Sequence, residues 1–208
     1  MADYKTIRGT ATFEYEEKRS RFIATASFAD TEEKALAVLN AVRTANRTAR
    51  HNVYAYVLQN GRTRYSDDGE PAKTAGTPVL ETIGHAGVAD VIVVVTRYFG
   101  GILLGAGGLC RAYTKAAKDA LDDAGISELR PWSVLHLACP YALFERVKLE
   151  LEKHSGLLRD TDYSAEIAMT VLLPEPEEAA FAAALRELSA GSLCPERTGT
   201  ELHGVKIR

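Results

Sequence analysis

The sequence predicts an α+β fold in two domains, residues 1–130 and 131–208. Three observations carry this reading. Segments of helical and strand periodicity alternate along the whole 208-residue chain. The run "ADVIVVVTRYF" is apolar and largely β-branched, which suits a strand buried on both faces. Gly125 and Pro131 bracket a break at 126–131 between a helix and the next strand, and the periodic pattern restarts beyond it.

Strand-like segments open the chain at Tyr4–Ile7, Ala11–Tyr15 and Arg21–Phe28. In "DTEEKALAVLNAVRTANR", Ala35, Leu36, Leu39 and Val42 fall on one helical face. Asp30 or Thr31 is placed to cap that helix, with acids in its first turn. "HNVYAYVLQ" and "RTRYS" flank Asn60-Gly61, the pair favoured in two-residue type I′ turns, so a hairpin is predicted. Thr77-Pro78 predicts a cap and first residue for a short helix over "PVLETI", stopped at Gly84. After the β-branched strand, five glycines between Arg97 and Tyr113 lead into a helix of about fifteen residues, "LCRAYTKAAKDALDDAG", that stops at Gly125.

The second half reads more simply. "WSVLHLAC" is a strand, and "YALFERVKLELEKHSG" a helix with Leu143, Val147 and Leu151 on one face. "LLRDTDY" and "AEIAMTVLL" are strands; "PEPEEAAFAAALRELSAG" is a helix with Pro176 early and Gly191 at its end. "ERTGTELHGVKI" closes the chain as a strand. The order β-α-β-β-α-β is that of a ferredoxin-like domain.

Composition and charge narrow the function classes. The N-terminal "MADYKTIRGT" lacks the apolar core of a secretory signal, and the run Val91–Val95 is far too short to span a bilayer. Cys110, Cys139 and Cys194 are scattered, without a C-x-x-C pair. That pattern argues against a disulfide framework or a zinc site and for a reducing cytoplasm. Net charge is -3, divided as +1 over residues 1–130 and -4 over 131–208. Arg43 to Ser66 carries five arginines, no acid and three tyrosines. Cations interleaved with aromatics suit phosphate contacts and base stacking. This makes Arg50, His51, Tyr54, Tyr56, Arg62 and Arg64 candidates for an RNA-contacting hairpin; a solvated sheet face with half-buried tyrosines is the structural alternative.

Two segments stand out as a site. "SDDGEPAKTAGTP" holds Asp67, Asp68, Glu70 and Lys73; "RYFGGILLGAGGLCRAY" holds Arg97, Gly100, Gly101, Gly105, Gly107, Gly108 and Arg111, with Lys115 just beyond. A glycine-rich turn feeding a helix start exposes backbone N–H groups and the positive end of the helix dipole, which favour an anion. The three acids would orient Arg97 and Arg111, or simply pair with them. A P-loop is excluded because no Gly-Lys-Ser/Thr follows, and the acids lack metal-ligand spacing, so neither a metal nor a cofactor is expected. Cys110 near a helix start has no base placed beside it by the sequence.

"HNVYAY", "SDDGEPAKTAGTPVL" and "VVVTRYFGGILLGAGGLCRAY", in that order over residues 51–113, resemble the signature of the YigZ/IMPACT family. The trailing β-α-β-β-α-β unit is similar to the appended domain of bacterial members. Lys73 departs from the pattern, where many members have glycine. The resemblance implies an N-terminal fold similar to the ribosomal-protein and EF-G domain IV fold, with an unusual left-handed crossover. It implies a C-terminal domain similar to the last domain of EF-G. It also implies a translation-linked binding or regulatory protein whose partner is RNA, the ribosome or a translation factor, with no membrane and no DNA sequence specificity. Two alternatives stand beside it: an enzyme or nucleotide-binding protein using the glycine-rich loop for a phosphorylated ligand, and a pure protein-interaction module. The sequence shows no catalytic constellation, so a non-enzyme is expected.

Overall fold

The computed structural model describes residues 3–7 and 9–206, and it divides into two compact units. One holds Tyr4–Glu128, with the chain returning to it at Gly204; the other holds Leu129–His203. Each has its own hydrophobic core.

The N-terminal unit begins with β1 (Tyr4–Ile7), β2 (Thr10–Glu17) and β3 (Ser20–Phe28). Helix α1 (Glu32–Ala45) starts where the sequence places a cap: the Thr31 hydroxyl accepts the Lys34 N–H. Strands β4 (His51–Val57) and β5 (Thr63–Ser66) form the expected hairpin, but not with the expected turn. Val57 pairs with Thr63, Leu58 N–H donates to Arg62 O at 2.9 Å, and Gly61 N–H reaches Leu58 O at 3.0 Å. Among the turn residues only Gly61 has positive φ, so this is a three-residue loop with a glycine bulge rather than type I′, which needs two such residues.

Helix α2 is Gly76–Ala86, longer than "PVLETI". Gly84 lies inside it, and the stop is Gly87, whose left-handed φ of 64° ends the helix. Thr77 is not its cap. Asp67 Oδ1 instead accepts the N–H groups of Ala75 and Gly76, at 3.1 and 2.8 Å. A carboxylate nine residues upstream thus satisfies the helix start. Strand β6 (Val91–Tyr98) is buried from Val91 to Arg97, as its composition predicts. Helix α3 runs from Ala106 to Ala124, starting three residues before the predicted "LCRAY" segment, so Gly107 and Gly108 are helical.

The sheet order is β2-β3-β6-β4-β5, with every neighbour antiparallel. Alternation along its central strands feeds two cores. Val53, Ala55, Val93 and Val95 pack with Val79 and Ile83 of α2 and Leu109, Tyr113 and Ala117 of α3. Tyr54, Tyr56, Ile92 and Val94 pack on the other face with Ala35 and Leu39 of α1. Burial on both faces explains the near-continuous apolar run of β6.

Residues 126–131, expected as a break, are the start of a long strand, β7 (Ile126–Cys139). Then come α4 (Tyr141–Lys153), β8 (Leu157–Tyr163), β9 (Ile167–Pro174), one turn of 3-10 helix at Glu175–Glu177, α5 (Glu178–Leu188) and β10 (Glu196–Lys206). Ile207, included in the predicted closing strand, lies outside the described residues. The strand order in the C-terminal unit is β10-β7-β9-β8. Leu135, Leu137, Met169, Val171 and Leu173 meet Val147 and Leu151 of α4 and Phe181 and Leu185 of α5.

Candidate functional site

The site forms at the end of β6, inside the N-terminal unit. Arg97 is the last buried residue of that strand, and its side chain is 6% exposed. Burying a guanidinium requires a partner. Glu70 supplies it: Arg97 Nη1 donates to Glu70 Oε1 at 2.7 Å, and the Glu70 side chain is 3% exposed. Tyr113 Oη donates to the same oxygen at 2.8 Å from the buried face of α3. Burial, then the Glu70 charge and hydrogen bond, push the Tyr113 phenol far above its ordinary pKa. Arg97 Nη2 reaches Ser20 Oγ at 3.3 Å, while the Phe22 and Phe99 rings lie 5.5 and 5.6 Å from its guanidinium carbon. Arg97 Nε is buried and has no acceptor among the described residues.

The loop that delivers Glu70 is built from backbone bonds to carboxylates. Asp67 accepts N–H groups from Lys73, Ala75 and Gly76. Asp68 accepts Asn52 N–H at 2.7 Å and Arg43 Nη2 at 2.9 Å, and its carbonyl meets His51 Nδ1 at 2.9 Å. The three acids therefore have different partners. Glu70 holds Arg97, Asp68 ties the loop to β4 and α1, and Asp67 shapes the loop and caps α2. Lys73 sits at φ 63°, a left-handed conformation that favours glycine. This turn position is thus a constrained one.

The glycine segment turns on two requirements. A Cβ on Gly100 would stand 2.0 Å from the Arg19 carbonyl, so the loop packs directly on backbone there. Gly100 N–H also donates to Ser20 Oγ at 3.2 Å. Gly105, at φ 71°, is the N-cap of α3 and offers no side chain to its first N–H groups. From Phe99 to Leu103 the chain presents Phe99, Ile102 and Leu103 to solvent. Beside it lies a cleft of about 330 Å³, lined by Arg50, His51, Glu70, Arg97, Phe99, Leu103, Leu104 and the start of α3.

Several expected site residues lie elsewhere. Arg111 does not join the acids. It lines a second cleft, of about 270 Å³, with Tyr15, Glu17, Lys18, Leu104, Gly108 and Lys115. Its position on α3, two residues before Tyr113, turns it away from the buried helix face that carries Tyr113 to Glu70. Burial holds the Tyr15 phenol in that cleft up to about 12, aided by the bond and charge of Glu17. Tyr54 and Tyr56, expected as stacking platforms, are 7% and 0% exposed and belong to the α1 core. Arg62 and Arg64 both pair with Glu32 on the surface. Lys115 pairs with Asp119 at 2.6 Å. Sequence reasoning missed Tyr113, Ser20 and the exposed Leu103. For Tyr113 the signal was its spacing with Leu109, Ala112 and Ala116; for Ser20, far along the chain, there was none.

The fold and site define a two-unit α+β protein whose N-terminal unit carries a buried Arg–Glu–Tyr cluster beneath an exposed glycine-rich loop. Family comparisons agree with that division: the Impact N-terminal domain matches residues 18–121, and a domain of unknown function, DUF1949, matches residues 137–192. The chain is 35% identical to IMPACT family member YvyE of Bacillus subtilis over 92% of its own length and 89% of that protein. It is 37% identical to IMPACT family member YigZ of Escherichia coli, covering 85% and 88%. A Protein IMPACT homolog of Dictyostelium discoideum is 39% identical over 43% of this chain and 27% of its own. A solved structure described as a hypothetical protein superposes with a TM-score of 0.61 at 34% identity, covering 96% of this chain and 98% of its own. The chain belongs to the IMPACT family.

Proposed function

We propose that this protein is a translation-linked regulatory binding protein that acts in the cytoplasm through its N-terminal unit. The observation that carries the reading is the exposed loop Phe99–Leu103 above a cleft with basic and apolar walls, on a buried base of Arg97 and Glu70. Family membership supports the link to translation, which the resemblance to the IMPACT family implies. We infer that the C-terminal unit is ferredoxin-like, from its strand order β10-β7-β9-β8 with α4 and α5. Among the described residues, no helix is long and apolar enough to cross a membrane.

Binding is favoured over catalysis by how the ionisable groups are used. Glu70 Oε1 accepts from both Arg97 and Tyr113 on a side chain only 3% exposed, so this carboxylate serves the buried cluster rather than a substrate. A general base needs a free lone pair facing the substrate. The arginine–tyrosine hairpin favours RNA weakly, because Tyr54 and Tyr56 are buried, Arg62 and Arg64 face Glu32, and Tyr65 alone of its three tyrosines is exposed. The test is co-sedimentation of the full chain with purified ribosomal subunits at low salt. The wild type is expected in the pellet and Leu103→Glu in the supernatant. A wild type that stays in the supernatant rejects the reading.

A further inference from the structure

The loop after β6 has the exposure of a contact surface. Phe99, Ile102 and Leu103 are 46%, 41% and 81% exposed. Leu104 behind them is shared by the two clefts, which flank the apolar ridge on either side. Both flanks carry more cations than acids: Glu17, bonded by the Tyr15 hydroxyl, stands against Lys18, Arg111 and Lys115 in one cleft, and Glu70 against Arg50 and Arg97 in the other. Arg97 is matched by Glu70 and Lys115 by Asp119. Lys18, Arg50 and Arg111 have no carboxylate within 4 Å among the described residues.

We propose that this ridge and its two clefts bind an acidic segment of a partner protein that carries an aliphatic or aromatic anchor. The proposal rests on the regulatory-binding reading above and adds the chemistry of the partner. Three features select it. First, cations without a counter-charge on both sides of one ridge call for carboxylates spaced across it, with the uncapped start of α3 adding to the positive potential. Second, Ile102 and Leu103 are aliphatic. They gain from burial against apolar side chains and offer no ring for a base, while the half-exposed Phe99 ring already lies against the Arg97 guanidinium, 5.6 Å from its carbon, so the ridge suits a peptide better than RNA. Third, the ridge is held in advance. Gly100 packs on the Arg19 backbone and donates to Ser20, so little ordering accompanies binding.

The test uses the full chain and fluorescence anisotropy. The probe is a short labelled peptide in which Glu-Glu pairs alternate with Leu and Phe. The first control replaces each Glu with Gln, and the second is a labelled single-stranded RNA of matched length. The acidic peptide is expected to bind with an affinity that falls as salt rises. Leu103→Glu should weaken it about tenfold or more, as loss of a central anchor does. Arg111→Glu and Arg50→Glu should each weaken it several-fold, and near-UV circular dichroism checks that every variant is folded. The proposal is overturned if the acidic peptide does not bind, if the Gln peptide binds equally well, or if Leu103→Glu leaves the affinity unchanged. RNA that displaces the peptide and binds the Leu103→Glu variant as well as the wild type also overturns it, in favour of a nucleic-acid face. Subunit co-sedimentation that persists while the peptide fails leaves the translation reading standing and removes the peptide. Peptide binding without co-sedimentation does the reverse.

Discussion

Two Arg–Glu–Tyr clusters occupy opposite faces of the N-terminal sheet. In one, Arg97 and Tyr113 converge on Glu70, with Arg97 and Glu70 side chains 6% and 3% exposed. In the other, Arg62, Arg64 and Tyr56 converge on Glu32, but the arginines are 61% and 58% exposed. The residue types and bond lengths are similar. What differs is water. A buried carboxylate that loses its partners cannot be rehydrated, whereas one at the surface can. The first cluster therefore supports the loop that carries the candidate site, and the second decorates a hairpin.

The largest effect should come from breaking the buried pair. Arg97→Ala leaves Glu70 without its cation and should cost about 3–5 kcal/mol, read by chemical denaturation. Glu70→Leu combined with Arg97→Met should be less destabilising than Arg97→Ala, because no buried charge remains. A cost close to that of a surface substitution would mean that water reaches the pair.

Tyr113→Phe removes one donor from the same carboxylate and should cost roughly 1–3 kcal/mol. It should also change the alkaline limb of stability. The folded pKa of Tyr113 is raised, so its contribution is complete below the ordinary tyrosine value of about 10 and is lost as pH climbs above it. Between pH about 9 and 11.5 the wild type should lose stability more steeply than Tyr113→Phe. Parallel slopes would show that the phenol is not held in the way its burial indicates.

Lys73→Gly should stabilise the loop that delivers Glu70 by about 1 kcal/mol, by relieving a left-handed lysine. A destabilised Lys73→Gly would show that the lysine side chain contributes more than its strain. The smallest effect belongs to the exposed cluster. Arg62→Ala and Arg64→Ala should leave the denaturation midpoint within measurement scatter, and whatever change appears should vanish in high salt. A clear loss of stability there would erase the contrast between the two faces.

Local signals were legible where neighbours in sequence decide the outcome. Thr31 caps α1 because its hydroxyl needs only the N–H three residues on. The composition of β6 announced a strand covered on both faces. Signals that rest on distant partners were not legible. Gly84 and Gly87 look equally able to stop α2, and only the backbone turn at Gly87 distinguishes them. The α2 start is satisfied by Asp67, which no local capping rule identifies. Tyr54 and Tyr56 read as surface aromatics until α1 is laid across that face of β4.

The candidate site divides in the same way. Chain-local chemistry determined that "SDDGEPAKTAGTP" and "RYFGGILLGAGGLCRAY" are tight, charged and glycine-dependent, and these motifs together with "HNVYAY" carry the resemblance to the family. Which acid meets which arginine was decided by the tertiary structure alone. Glu70 and Arg97 are 27 residues apart, and Ser20 lies 77 residues from Arg97. Arg111 shares a helix with Tyr113 yet faces another cleft, since two residues along a helix point in very different directions. A sequence determines propensities within a few residues, because those depend on local sterics and hydrogen bonds. Burial, and with it the weight of each charge, depends on which distant surfaces exclude water.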